Sequence, residues 1–219
     1  MNDNSGDLSE ESFDLVIRYG TVIDGTGAPG KRADVGIVGN RIARIGDLSA
    51  VQAEHTVNAS DRIIAPGFID AHTHDDRALL LNDAMEPKIS QGVTTVIAGN
   101  CGVSLAPLTP PAEPPPPINL IGNEADFVYR EFTDLSAALE ATPPPVNAAF
   151  FVGHSTLRFG VMGHDLDRPA TTAEIEQMRA TLDTGMGQGA IGLSTGLVYP
   201  PAIAAPTDEI VTLAEVAAQ

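Results

Sequence analysis

Ala65-Pro66-Gly67-Phe68-Ile69-Asp70-Ala71-His72-Thr73-His74 is an apolar stretch that ends in two histidines one residue apart. Successive side chains of a strand point to opposite faces, so His72 and His74 project from the same side of a strand end. Neutral imidazole is the commonest protein ligand for zinc-like ions, and a pair carried on a rigid strand needs little ordering to close on one. The apolar run reaches back through Ile63-Ile64, which predicts one strand over 63–70 of the kind buried on both faces of a parallel sheet. Histidines at the C-terminal end of such a strand stand where (β/α)8 barrels keep their active sites. The competing interpretation is a pair of ordinary polar histidines at a strand end.

The pattern changes on either side of this stretch. Residues 1–12 are polar and acidic and read as a disordered leader. Short β-rich segments follow at 13–18, 21–24, 33–38 and 41–46, with Gly39-Asn40 marking a hairpin turn. They predict a small antiparallel β segment, a small sandwich, over residues 13–61. Beyond it, strand candidates at 63–70, 93–98, 146–152 and 190–194 alternate with helical patterns at 125–141, 171–188 and 207–219. Thr171-x-x-Glu174 has the form of a capping box, and Asp208 and Glu209 sit in the first turn of the last helix. Alternating β and α units imply a parallel sheet with helices outside. The fold class expected is therefore α/β, with residues 62–219 forming the N-terminal part of a metal-dependent (β/α)8 barrel of about four βα units. A whole barrel has eight strands in about 250 residues. Four units imply a chain unstable alone, dimeric across the missing half, or shortened from something longer.

Composition narrows the partners. Twelve Lys and Arg against 29 Asp and Glu leave a net charge of −17, which argues against nucleic acid and anionic membrane surfaces. No run approaches the roughly 20 apolar residues of a membrane span, and no export signal opens the chain, so a cytoplasmic protein is expected. The single cysteine cannot form an intramolecular disulfide. That thiol, Cys101, lies in Gly99-Asn100-Cys101-Gly102 at the end of the second strand candidate. In a parallel barrel this strand neighbours the histidine strand, and thiolate is a good zinc ligand, so Cys101 is a third candidate ligand. A small buried hydrophobe is the alternative.

These residues carry a resemblance. Gly20-x-x-x-x-Gly25 followed by the Ala65–His74 stretch resembles the amidohydrolase superfamily. Gly92-Val93-Thr94-Thr95-Val96, Gly99-Asn100-Cys101-Gly102, Gly153-His154-Ser155-Thr156-Leu157-Arg158 and Gly192-Leu193-Ser194-Thr195-Gly196-Leu197-Val198-Tyr199-Pro200-Pro201 resemble the N-acyl-D-amino-acid deacylases, or D-aminoacylases, from about Phe13 onward. The resemblance implies a barrel with a small β-domain, one or two zinc ions, and metal-ligand roles for His72, His74 and Cys101. It implies hydrolysis of small N-acyl-D-amino acids to D-amino acid and carboxylate. The family's general base and further histidine ligands come from later strands, so a catalytic residue is not assigned, and a missing C-terminal half or a homo-oligomer is the partner expected. Two alternatives stand beside this function. One is a catalytically incomplete metal-binding fragment. The other is a dihydropyrimidinase-like cyclic amidohydrolase, against which Cys101 argues, since those relatives bridge their metals with a carboxylated lysine and only Lys31 and Lys88 occur here.

Three residues are candidate substrate contacts. Tyr199 would donate to the carbonyl or hold the substrate carboxylate, or else pack on Pro200 and Pro201. His154 follows the third strand and either faces the pocket or bonds among Ser155 and Thr156. Arg158 either meets a substrate carboxylate or pairs with an acidic neighbour. Asp70 is expected to support the histidines, Ser194 lacks a neighbouring base for nucleophilic work, and His55 and His164 read as surface residues.

Overall fold

The computed structural model describes residues 12–81 and 85–218. All but the last residue of the expected leader lies outside them. Two compact units divide between Pro66 and Gly67.

The first unit is one sheet of β1 (Phe13–Val22), β2 (Lys31–Val38), β3 (Arg41–Gly46), β4 (Ala53–Asn58) and β5 (Ile63–Ile64). The order is β3-β2-β1-β4, with β5 also on β1. Gly39, at φ 57°, makes the β2–β3 turn that Gly39-Asn40 announces. β1 runs antiparallel to β2 but parallel to β4 and β5. The sheet is thus single and mixed, which corrects the antiparallel sandwich expected. The reason lies in the chain path: the β2–β3 hairpin occupies one edge of β1, and the chain reaches the other edge only by a crossover, which makes its strands parallel. Phe13, Val16, Leu48 and Val51 form the small core.

The second unit runs β6 (Phe68–Asp70), α1 (Glu86–Ile89), β7 (Val93–Ala98), α2 (Phe132–Ala141), β8 (Asn147–Phe150), β9 (Val152–Gly153), α3 (His154–Met162), α4 (Thr172–Gly187), β10 (Leu193–Ser194), α5 (Pro200–Ile203) and α6 (Thr207–Ala217). β6, β7 and β8 pair in parallel, as do β9 and β10. Only Phe151 separates β8 from β9, and its N–H reaches the Ala98 carbonyl at 3.0 Å. The strands therefore follow one another across the sheet in chain order. Val96, Ala98 and Val152 are buried under Phe132 and Leu135 of α2, Met178 and Leu182 of α4, and Leu213 and Val216 of α6. Among the described residues no helix is long and apolar enough to cross a membrane.

Three local expectations change. The strand over 63–70 breaks at Ala65-Pro66-Gly67, because Pro66 has no N–H to give a ladder and the Thr94 side chain occupies the space beside the Gly67 Cα. Ile63-Ile64 joins the first sheet, and Phe68 and Ile69 are 64% and 63% exposed rather than buried on both faces. The helix over 125–141 is shortened to α2. Asn123 with Asp126 and Glu131 with Asp134 form two capping boxes, so a short 3-10 turn and a true helix start separately. An additional helix, α3, begins at His154 directly after β9.

α4 starts as its capping box indicates. Thr171 Oγ1 accepts from the Glu174 amide at 3.3 Å, and the Glu174 carboxylate accepts from the Thr171 amide at 2.7 Å. Arg168 holds both oxygens of the same carboxylate at 2.7 and 2.8 Å. Those guanidinium bonds first, and the Thr171 amide second, pull the Glu174 carboxyl down to about 2. Thr171→Ala should cost about 1 kcal/mol in urea denaturation at pH 7. The Glu174 contribution is fully present above its ordinary pKa of 4.5 and is lost as pH falls toward about 2. Glu174→Gln should flatten that part of the acid-denaturation curve.

Candidate metal centre

β6 ends at Asp70, and the chain carries His72 and His74 just past the strand, both exposed. β7 ends at Ala98, and the following turn carries Cys101 beside them. His72 Nε2 and Cys101 Sγ are 3.0 Å apart. The two imidazoles meet edge to face with centroids 5.8 Å apart. One donor atom from each of the three residues lies within 4.8 Å of the others. The turn needs a left-handed backbone at Gly99, Cys101 and Gly102, where φ is 74°, 55° and 79°. At Cys101, which has a Cβ, that conformation costs roughly 1–2 kcal/mol. The turn holds it there with the thiol turned toward the histidines.

The residues around the three donors brace them. Thr73 is buried between the histidines, and its hydroxyl donates to Asp75 at 2.6 Å. Asn100 donates to the Ile97 carbonyl at 2.7 Å and to the Thr73 carbonyl at 3.4 Å, tying the cysteine turn to the histidine segment. Asp70 accepts from the His72 amide at 3.2 Å and from Lys88 Nζ at 2.6 Å, and Lys88 also lies 2.9 Å from Asp75. The Lys88 ammonium first, and the His72 amide second, hold the Asp70 carboxyl below the usual carboxylate range. Burial works against the charge on Lys88, but the hydrogen bonds to both carboxylates outweigh it and raise its pKa. Loss of hydration first, and the neighbouring His72 second, hold His74 below the usual imidazole range. Its neutral, ligand-competent form is favoured. Asp76 is fully buried, and burial pushes its carboxyl up to about 6. Lys88 and Asp76 had no place in the sequence-based site. Their roles depend on which residues face them across the fold, and no local spacing announces that.

Beside His74 and Cys101 lies a cavity of about 240 Å³ whose other walls are Val103, Pro117, Leu120, Ile121 and Tyr199. Tyr199 thus stands at the cavity. Its loop follows β10 and enters α5, which opens with Pro200 and Pro201.

His154 and Arg158 do not meet this cavity, which corrects their assignment as substrate contacts. Both are fully buried on α3. His154 Nε2 is 2.8 Å from Glu209 Oε1, and Arg158 Nη1 donates to both Glu209 oxygens at 2.8 Å. Arg158 gives its remaining N–H groups to the carbonyls of Pro201 at 2.7 Å, Leu166 at 3.3 Å and Arg168 at 2.8 Å. A guanidinium with every donor engaged inside the protein has none left for a substrate. Glu209, expected to serve the dipole of the last helix, is instead the buried counter-ion. Burial would raise its carboxyl, but the hydrogen bonds from His154 and Arg158 outweigh that and hold it below the usual range. His55 and His164 are exposed, the latter against the Phe159 ring.

A sequence model of the amidohydrolase family matches residues 55–219. The D-aminoacylase of Alcaligenes xylosoxydans xylosoxydans is 54% identical over 201 residues, covering 92% of this chain and 41% of that protein. The crystal structure of a D-aminoacylase superposes with a TM-score of 0.89 at 53% identity, over 93% of this chain and 43% of that one. The N-acyl-D-glutamate deacylase of Bordetella bronchiseptica, solved with zinc and a phosphonate mimic of the tetrahedral intermediate, superposes with a TM-score of 0.89 at 42% identity, over 95% and 43%. The chain spans about two fifths of the length of these relatives.

Proposed function

Because the chain belongs to the amidohydrolase family, we propose that it forms part of a zinc-dependent hydrolase that splits N-acyl-D-amino acids into D-amino acid and carboxylate. The observation that carries this is the convergence of two imidazoles and the chain's single thiol within 4.8 Å, beside an apolar cavity. Two nitrogens and one sulfur are a donor set suited to zinc, and a zinc-complexed deacylase is among the similar structures. His72, His74 and Cys101 would hold one or two zinc ions. When bound, zinc would polarise the scissile carbonyl and lower the pKa of an attacking water.

The rest of the work belongs to the chain's own side chains. Tyr199, at the cavity, would donate its phenol proton to the substrate carbonyl or carboxylate. Val103, Pro117, Leu120 and Ile121 would shed water around an apolar acyl group or side chain. We read β6 to β10 as consecutive strands of a (β/α)8 barrel. Their parallel order and the exposed Phe68 and Ile69 on β6 support this. The general base and further ligands would then come from strands beyond these.

One observation favours a second reading, a metal-binding part that is inactive alone. The carboxylates next to the histidines, Asp70 and Asp75, are both bound to Lys88, which leaves neither free as a base. That same engagement leaves Lys88 no place as a metal bridge of the cyclic-amidohydrolase kind. Among the described residues no Lys or Arg lines the cavity, so substrates with a neutral D side chain should exceed N-acetyl-D-glutamate by about tenfold or more in kcat/KM. Amine release from N-acetyl-D-leucine, its L enantiomer and N-acetyl-D-glutamate by the zinc-loaded chain tests both statements. Stoichiometric zinc with no turnover of any substrate would exclude a self-sufficient enzyme. Measurable turnover at equal rates on neutral and acidic substrates would exclude the apolar cavity as their binding site.

A further inference from the structure

We propose that Ser194 is a positioning residue for the Cys101 thiol, a role that rests on the metal-site assignment above. Its hydroxyl closes both ends of the cysteine turn. Ser194 Oγ accepts from the Gly102 amide at 3.0 Å and donates to the Gly99 carbonyl at 2.5 Å. The two partners flank Asn100 and Cys101, so a single side chain from β10 bridges the turn from a position more than 90 residues away in sequence. The bridge is needed because Cys101 is a Cβ-bearing residue at φ 55°. Such a residue stays left-handed only where its surroundings over-determine the conformation.

The segment after Ser194 fits the same purpose. A Cβ on Gly196 would collide with the Cys101 carbonyl, and one on Gly102 would lie 2.9 Å from the Gly196 amide nitrogen. Two glycines thus let the β10 loop lie flush on the cysteine turn, and Ser194 pins it there. The same loop goes on to Tyr199, whose amide donates to the Gly196 carbonyl at 3.0 Å. Ser194 therefore sets the thiol and the tyrosine of the cavity against one frame. Serine has both properties the position demands, one donor and one acceptor on a short stem. A nucleophilic role would require its proton to be taken by a base, whereas this proton is already given to a backbone carbonyl.

Two readouts on the full 219-residue chain test the proposal, with Ser194→Ala, the rescuing Ser194→Thr, and Thr171→Ala as a destabilised control remote from the turn. The first is hydrogen exchange of the Gly102 amide without metal. It should speed by about tenfold or more in Ser194→Ala, return toward the original rate in Ser194→Thr, and stay unchanged in Thr171→Ala. The second is cobalt(II) titration, read by the thiolate-to-cobalt charge-transfer band. Ser194→Ala should bind about 10–100-fold more weakly and with a diminished band, while Ser194→Thr and Thr171→Ala match the parent. Unchanged Gly102 exchange in Ser194→Ala overturns the bridge, and unchanged cobalt affinity and band overturn its role toward the thiol. An equal loss in Thr171→Ala also overturns it, since general destabilisation would then be enough. A parent chain that takes no cobalt while Gly102 still responds to Ser194→Ala overturns the metal-site assignment itself, and with it the positioning role. Should Ser194→Ala fail to fold, the Ser194→Thr chain carries the decision: lost cobalt binding there overturns the proposal.

Discussion

Arg158→Ala should destabilise the fold by roughly 3–5 kcal/mol, the largest loss expected from any substitution remote from the metal centre. The guanidinium is fully buried and is the main counter-charge of an equally buried Glu209. Removing it strands that carboxylate with only His154 and frees three carbonyls, those of Pro201, Leu166 and Arg168, from their donor. Arg158→Lys should recover little, because a point ammonium cannot reach a carboxylate and three carbonyls that a planar fork spans. The pH dependence separates this from simple loss of packing. In the parent, the depressed Glu209 pKa gives stability that is fully present above the ordinary value of 4.5 and is lost as pH falls through the lower folded-state value. In Arg158→Ala, burial dominates and lifts the carboxyl, so protonation relieves the variant and its deficit should shrink as pH falls. Urea denaturation at pH 7 and pH 4 measures both. An equal deficit at the two values would contradict the ion pair as its source.

Cys101→Ala should abolish tight zinc binding. The drop should exceed the roughly 10–100-fold that loss of an outer supporting residue costs, because a direct donor is removed from a set of three. Zinc that binds only the folded chain raises its stability, by about 2.7 kcal/mol at one hundred times the dissociation constant. The parent should therefore melt higher with zinc, and Cys101→Ala should not. His72→Ala should behave alike, since its Nε2 lies 3.0 Å from the thiol. Lys88→Met should retain much of the zinc response, because Lys88 bonds to Asp70, Thr73 and Asp75 and, among the described residues, to none of the three donors. A zinc-dependent rise that survives in Cys101→Ala would remove the thiol from the site.

The convergence of His72, His74 and Cys101 was legible because its geometry is local. One intervening residue puts His72 and His74 on one side of a strand end, and flanking glycines mark the turn that presents Cys101. The alternation of strands and helices in the second unit was legible for the same reason, since period and capping residues act over a few positions. Contacts between distant segments left no such mark. Glu209 has the position of a helix-dipole acid in sequence, and only the packing of α6 near α3 and α4 turns it into the counter-ion of Arg158. The break at Pro66 was written in the sequence, but the apolar residues on both sides hid it, because hydrophobicity does not tell which sheet a strand will join. Ser194 looked like an isolated hydroxyl because its two partners lie across the parallel strands, at Gly99 and Gly102.

The most direct test is X-ray absorption at the zinc edge of the loaded chain, compared with Cys101→Ala. The expected first shell holds one sulfur and imidazole nitrogens in the parent, with the sulfur gone from the variant. A parent shell of nitrogen and oxygen alone would contradict a centre built from His72, His74 and Cys101.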